Sequence, residues 1–190
     1  MKVFRTIHAN VGLPNERELL LAAQQGDASA FKELYEHYCD RIYNVIRYSL
    51  KDAAAAEDAL QNVFIKVYEA LPCFRLESSF LTWVYRVAIN ECKNRKRSRW
   101  FFTSLEEISD NLNHAHPAPD ALHAADELKE SVRLAVLQLR PKYRQVVALK
   151  YSEDLSYEEI AAILKCSPGT VASRLHRALD LLEKRLRKER

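Results

Sequence analysis

The chain has 190 residues, of which 48% are hydrophobic and 29% charged, with a net charge of +3. That length holds one large domain or two small ones, and that apolar content excludes general disorder. Only three glycines exclude a turn-rich sheet protein, and abundant alanine, leucine, glutamate, lysine and arginine point to an all-α fold.

Residues 15–99 read as helices, with breaks near Gly26, near Asp52 and across "PCFRLESS" at 72–79. In "AAEDALQNVFIKVYEAL", 55–71, Ala56, Leu60, Val63, Phe64, Val67 and Leu71 recur on one helical stripe, the buried one. Asp58, Gln61, Asn62, Ile65 and Glu69 form the opposite face. An isoleucine centred among polar groups gains nothing from water, so this face is a candidate docking patch. A lone exposed apolar residue is the plainer explanation of the same pattern.

The next helix, over residues 78–99, ends in a dense basic run, with five bases and no acid between 93 and 99. Projected as a helix, Thr82, Arg86, Asn90, Lys93, Asn94 and Arg97 fall within one arc of about 120°. Phe80, Leu81, Val84, Tyr85, Val87, Ala88, Ile89 and Cys92 occupy the other sides, and Trp83 lies at the edge of the polar arc. Asparagines between cations can bond base edges while the cations hold phosphates. Phe74, Phe80 and Trp83 offer aromatic platforms on which unpaired bases can stack.

Beyond that helix the charge reverses. Residues 104–130 carry seven acids against one base, Lys129, and "NLNHAHPAPD" at 111–120 has no helical period, which predicts a flexible acidic linker. His114, His116 and His123 could hold a metal there, but a solvated loop is the simpler reading. The sequence thus divides into a helical domain over 1–99, a linker over 100–121 and a second helical domain over 122–190.

Helical periodicity resumes at Ala121 and is interrupted at Pro141, at "SEDLS" and at "KCSPG". Ser156 and Glu159 have the spacing of a capping box, and Ser167 followed by Pro168 repeats the start signal. Two helices with a turn of about three or four residues between them have the spacing of a helix-turn-helix. On the second, Val171, Leu175, Ala178, Leu179, Leu182 and Leu186 form one stripe, with Thr170, Ser173, Arg174 and Arg177 opposite. Short hydroxyls and arginines near the amino end of a helix suit entry into a major groove. A helical hairpin with a solvated basic face would explain the charge alone, but not the paired start signals and the short turn.

Cys39, Cys73, Cys92 and Cys166 are scattered without a C-x-x-C pair, so they read as reduced thiols, not as a disulfide framework or zinc site. No window reaches the roughly 18 apolar residues of a membrane span, and the amino terminus lacks the apolar core of a signal peptide. A soluble, cytoplasmic protein with no membrane insertion is expected. No Ser, His or Asp residues stand at catalytic spacing, so an enzyme with a small-molecule substrate is not expected.

Taken in order, "AAEDALQNVFIKVYEAL", "FRLESSFLTWVYRVAINECKNRKR" and "LRPKYRQVVALKYSEDLSYEEIAAILKCSPGTVASRLHRALDLL" resemble regions two and four of an extracytoplasmic-function sigma factor, a compact class of bacterial transcription initiation factor. The resemblance covers about residues 16–186. It implies that Asp58, Gln61, Asn62, Ile65 and Glu69 meet the clamp helices of the largest catalytic subunit of core RNA polymerase, while the second domain lies near its flap. It implies that the 72–79 loop takes a flipped base near Phe74, and that Ser78, Trp83, Arg86, Asn90, Lys93, Asn94 and Arg97 contact the melted minus-ten element. Tyr157, Glu158, Thr170, Ser173, Arg174, His176 and Arg177 would read the minus-thirty-five duplex.

The linker would run towards the RNA exit path. An anti-sigma factor, often membrane bound in such proteins, is an expected partner. No cofactor is implied. With no nucleotide-hydrolysing motif, melting must be driven by binding energy. The chain departs from the usual pattern at Asn62, where an acid is common, at Tyr68, where tryptophan is, and at Ala172, where lysine or arginine is. A one-component repressor would also use a helix-turn-helix, but would not need the loop and helix of "FRLESSFLTWVYRVAIN".

Overall fold

The computed structural model describes residues 13–103 and 124–187. Within them the chain forms α1 (Glu16–Gln24), α2 (Ala28–Leu50), α3 (Ala53–Ala70), a 3-10 turn (Leu71–Cys73), α4 (Phe80–Thr103), α5 (Ala124–Leu137), α6 (Pro141–Tyr151), α7 (Tyr157–Leu164) and α8 (Pro168–Leu186). Among the described residues there is no strand, in line with the all-α composition. Helix α4 continues past residue 99 to Thr103. The expected linker residues from 104 onward, with His114, His116 and His123, lie outside the described residues, as do residues 1–12.

The helix boundaries follow local chemistry. Gly26, at φ 95°, turns the chain after α1, and the Asp27 carboxylate accepts from the N–H groups of Ser29 (2.8 Å) and Ala30 (3.1 Å) to start α2. These bonds satisfy donors that a helix cannot pair internally. Lys51, at φ 73°, ends α2, and Asp52 caps α3 through Ala55 N–H at 3.1 Å. Ser156 and Glu159 close the capping box in both directions, at 2.7 and 3.1 Å. Ser167 accepts from Thr170 N–H at 3.2 Å, with Pro168 at the first position of α8.

Helix α2 is the spine of the first half, with α1, α3 and α4 packed on it and α3 also against α4. Helix α8 organises the second half, receiving α5, α6 and α7. The stripe expected on α3 is inward: Ala56, Val63, Phe64 and Val67 are buried, as is Leu71 just beyond it, while Leu60 is half-buried. On α8, Val171, Leu175, Ala178 and Leu182 are buried, but Leu179, expected on the same stripe, is exposed. With Ala178 and Leu182 already seated, the neighbouring position falls on the edge of the buried arc, where a leucine meets water.

The two halves do not stand apart. Helix α2 packs on α6 and α4 on α7, so that one hydrophobic core runs from Leu20 to Leu182. Arg144 of α6 is 1% exposed. It donates to the carbonyls of Leu137 (2.7 Å) and Leu139 (3.0 Å) at the end of α5, and to Ser49 (3.1 Å) near the end of α2. A cation gathering carboxy-terminal carbonyls is placed where helix dipoles favour it. Burial nevertheless lowers its guanidinium to about 10.

Candidate nucleic-acid interface

Helices α7 and α8 meet across Lys165, Cys166 and Ser167, and Lys165 takes the left-handed conformation at φ 53°. Cys166 N–H returns to Ala161 O at 3.1 Å, which closes the turn and fixes the angle at which α8 leaves. On α8, Ser173, His176 and Arg177 are exposed, and Thr170 and Arg174 are half-buried. Thr170 is committed to the helix cap, its hydroxyl 2.9 Å from that of Ser167. The Ser173 hydroxyl donates to Thr170 O at 3.0 Å. Arg174 folds back over the turn, one nitrogen 3.9 Å from Cys166 Sγ, while His176 approaches Asp180 at 3.8 Å. Arg177 therefore stands as the outward cation of this face. Tyr157 and Glu158, both exposed, begin α7 alongside.

The basic face of α4 is open at Asn90, Lys93 and Asn94, with Arg86 half-buried. The side chain of Arg97 lies outside the described residues. Arg95 is tied down: it donates to Glu91 at 2.8 Å, and Lys66 of α3 reaches the other oxygen of the same carboxylate at 2.5 Å. Burial alone would raise the Glu91 carboxyl, but bonds from Lys66 and Arg95 outweigh it and hold the group below its ordinary value. Thr82, expected on the open arc, is instead buried, its hydroxyl 2.8 Å from that of Ser79. Ser79 also accepts from Thr82 N–H at 3.2 Å. Thr82 thus belongs to the start of α4, and position on a helical projection could not distinguish a capping role from an open one.

The aromatic residues beside it also differ from the expectation of free platforms. Phe80 is 1% exposed and lies within the core, and Phe74 is buried beneath Trp83, the two rings stacked with centroids 4.7 Å apart and planes at 23°. Trp83, half-buried, is the member that reaches the surface. Gln24 of α1 anchors the loop by donating to Leu71 O at 3.0 Å and Phe74 O at 2.7 Å. Beyond that anchor Leu76 adopts φ 57°, a left-handed conformation that a leucine holds at a cost of about 1–2 kcal/mol. An open hollow of about 260 Å³ is lined by Glu16, Arg17, Leu20, Leu76, Ser78, Ser79 and Phe80. Sequence reading singled out Ser78 but missed the contribution of α1, because nothing in the spacing of 16–20 relates it to a loop sixty residues later.

On α3, Asp58, Gln61, Asn62, Ile65 and Glu69 are all exposed, Ile65 at 55%. The structure adds aromatic neighbours: Tyr68 meets Phe31 of α2 edge-on at 4.9 Å, and Tyr35 meets Phe64 at 4.7 Å. Tyr35 and Tyr68 are themselves exposed, so Ile65 belongs to an apolar surface spanning α2 and α3.

Among the described residues, no three His, Cys, Asp or Glu side chains converge as metal ligands. No described helix is long and apolar enough to cross a membrane.

Residues 34–102 match the family described as Sigma-70 region 2, and residues 129–182 the family described as Sigma-70, region 4. The chain is 34% identical over 180 residues to the RNA polymerase sigma-H factor of Pseudomonas aeruginosa, covering 90% of this chain and 93% of that protein. It is 32% identical over 173 residues to the ECF RNA polymerase sigma factor SigW of Bacillus subtilis, covering 86% and 92%. With the ECF RNA polymerase sigma-E factor of Escherichia coli it shares 32% over 181 residues, covering 90% and 94%.

Among the solved structures that share the fold are two complexes. CnrH in complex with the cytosolic domain of CnrY superposes with a TM-score of 0.69 at 22% identity, covering 92% of this chain and 99% of that one. The sigma factor RpoE in complex with the anti-sigma factor NepR from Bartonella quintana gives 0.68 at 23% identity, covering 84% and 98%.

Proposed function

Because the chain belongs to the extracytoplasmic-function family of RNA polymerase sigma factors, we infer that it is an alternative sigma factor that binds core RNA polymerase, directs it to specific promoters and helps to open them. The observation that carries this reading is the presence, on one chain and in order, of an exposed apolar face on α3, a hollowed loop leading into a basic helix, and a helix-turn-helix. Asp58, Gln61, Asn62, Ile65 and Glu69 form the polymerase contact, and the exposed Tyr35 and Tyr68 enlarge it. Residues 1–99 act as the domain that binds polymerase and melts the minus-ten element, 100–121 as the linker, and 122–190 as the domain that reads the minus-thirty-five element.

At the minus-ten element the exposed Asn90, Lys93 and Asn94, with Arg86 and Arg97, follow the strand. The hollow beside Ser78 is the receptor for a flipped base. Phe74 acts from beneath, holding Trp83 in place. Breaking stacking costs a few kcal/mol per base, which capture of the base can offset. On the duplex, Arg177, Ser173 and His176 face bases, Thr170 and Arg174 shape the helix end, and Tyr157 and Glu158 lie nearby.

An anti-sigma factor as a further partner is supported by the fold shared with a sigma factor solved in complex with one. Its action would keep the chain in the cytoplasm or at the inner face of the membrane. The reading as a transcription initiation factor requires no catalytic group.

The test is a gel-filtration experiment in which the purified chain is mixed with bacterial core RNA polymerase. Co-elution as a one-to-one complex is expected. Separate elution of the two, with tight binding of the chain alone to a duplex palindrome, would favour a one-component repressor.

A further inference from the structure

Helix α4 carries six bases and a single acid, Glu91. A carboxylate in a helix that faces a polyanion opposes binding, so Glu91 needs a physical reason to be there. It is not a solvated surface group. Its side chain is 8% exposed, and it lies where α3 packs against α4. Both of its oxygens are occupied. Lys66 of α3 reaches Oε2 at 2.5 Å, and Arg95, one turn further along α4, donates its Nε–H to Oε1 at 2.8 Å.

The two cations differ in what they could otherwise do. Lys66 belongs to α3 and pins the carboxylate to that helix, so the acid cannot follow an arginine that swings outward. Arg95 belongs to the basic end of α4. It comes directly after Asn94, about 100° round the helix from it. Asn90, Lys93 and Asn94 are exposed, whereas the Arg95 side chain is 27% exposed and bent onto Glu91. Helix stability alone does not require this arrangement, since pairs spaced four residues apart work at the surface and are worth little there. Burying the acid, and giving it a second cation from another helix, carries a desolvation cost that a surface pair avoids. What the arrangement adds is a fixed place for Arg95.

The number of cations that a helix offers to a nucleic acid sets how it grips. Each phosphate neutralised on a single strand steepens the logarithmic fall of affinity with salt by about 0.7, whatever the sequence. Base edges, not phosphates, discriminate. One more free cation therefore tightens the hold on every strand alike, and non-cognate strands are held at concentrations where they would otherwise be released.

We propose that Glu91, pinned by Lys66, withholds Arg95 from the phosphates of a single strand and so limits the sequence-independent grip of α4. The inference rests on α4 being the strand-facing helix of the sigma-factor reading. Glu91 is a positioning residue that acts through Arg95, and the strand is left to Lys93 and the asparagines beside it.

Salt dependence reads the withheld cation directly. The full chain is titrated with an oligothymidine strand and with a strand of mixed sequence over a tenfold range of salt. Lys93→Ala should make the slope shallower by about 0.7, while Arg95→Ala in the otherwise unaltered chain leaves it unchanged. Glu91→Gln should steepen the slope by about 0.7, so that affinity falls about fivefold further across the range, on both strands alike. Adding Arg95→Ala to Glu91→Gln should remove that increase. A purely structural role for Glu91 would give weaker binding with no added salt dependence.

Four results would overturn the proposal. They are a shallower slope for Arg95→Ala alone, an unchanged or shallower slope for Glu91→Gln, an increase that survives the added Arg95→Ala, and no salt-dependent strand binding by the unaltered chain. Circular dichroism shows whether Glu91→Gln keeps its helices, and if it loses them the comparison of Arg95→Ala with Lys93→Ala decides. The expected slopes in a chain that fails to co-elute with core polymerase would leave the withheld arginine standing and remove the sigma-factor reading.

Discussion

Arg177 is exposed near the amino end of α8, whereas Arg174, three residues before it, is folded onto the turn beside Cys166. The two arginines therefore have different consequences when removed. Arg177→Ala should weaken discrimination between the cognate and a mutated minus-thirty-five element by about 1–3 kcal/mol, the worth of a bidentate base contact. Equal affinity for both elements, before and after the change, would defeat that assignment. The periodicity of α8 placed both arginines on one face, which was correct as a direction, but spacing does not say which long side chain bends back. Thr82 and Phe80 teach the same lesson. Their positions on the α4 projection were legible, while the Ser79 bond and the core contacts that occupy them were not.

Helix α3 leaves one side exposed and ties its other edge to α4. Ile65→Glu places a charge at the centre of the exposed apolar surface and should weaken core polymerase binding by tenfold or more, leaving the melting temperature within a few degrees of the unaltered chain. A matching fall in stability would indicate that Ile65 belongs to the core. The tie to α4 is Lys66 and Arg95 on Glu91. Because the folded carboxyl lies below its unfolded value, its contribution is present above the unfolded value of about 4.3 and is lost as pH falls through the folded one. With Lys66 half-exposed, that contribution is about 1 kcal/mol after screening. Urea titrations should show Glu91→Gln less stable than the parent at pH 7 by that amount, with the gap closing as the pH is taken below 4. A gap independent of pH would mean that the glutamine disturbs packing, not charge.

Across the whole chain, the order of helices, their caps and the helix-turn-helix were legible because each is set by residues within one turn of the boundary. The packing of α2 on α6 and of α4 on α7 was not. Arg41, Arg144 and Glu153 read as surface residues by type, and only the packing of distant helices buries them. Helix α6 carries the one local hint, since Arg144, Gln145, Val146, Val147, Ala148 and Leu149 are buried in succession. A helix covered on all sides belongs to the interior of something larger than the four helices α5–α8 alone. The hollow beside Leu76 escaped for a related reason, being assembled from α1 and a loop far along the chain.

Run-off transcription shows whether this chain confers promoter selection on polymerase. Bacterial core RNA polymerase would be supplied with a genomic promoter library, with and without the chain. Discrete start sites that depend on the chain and share two spaced upstream elements are the predicted result, with Arg177→Ala altering use of the upstream element alone. Transcripts identical with and without the chain would mean that it selects no promoters.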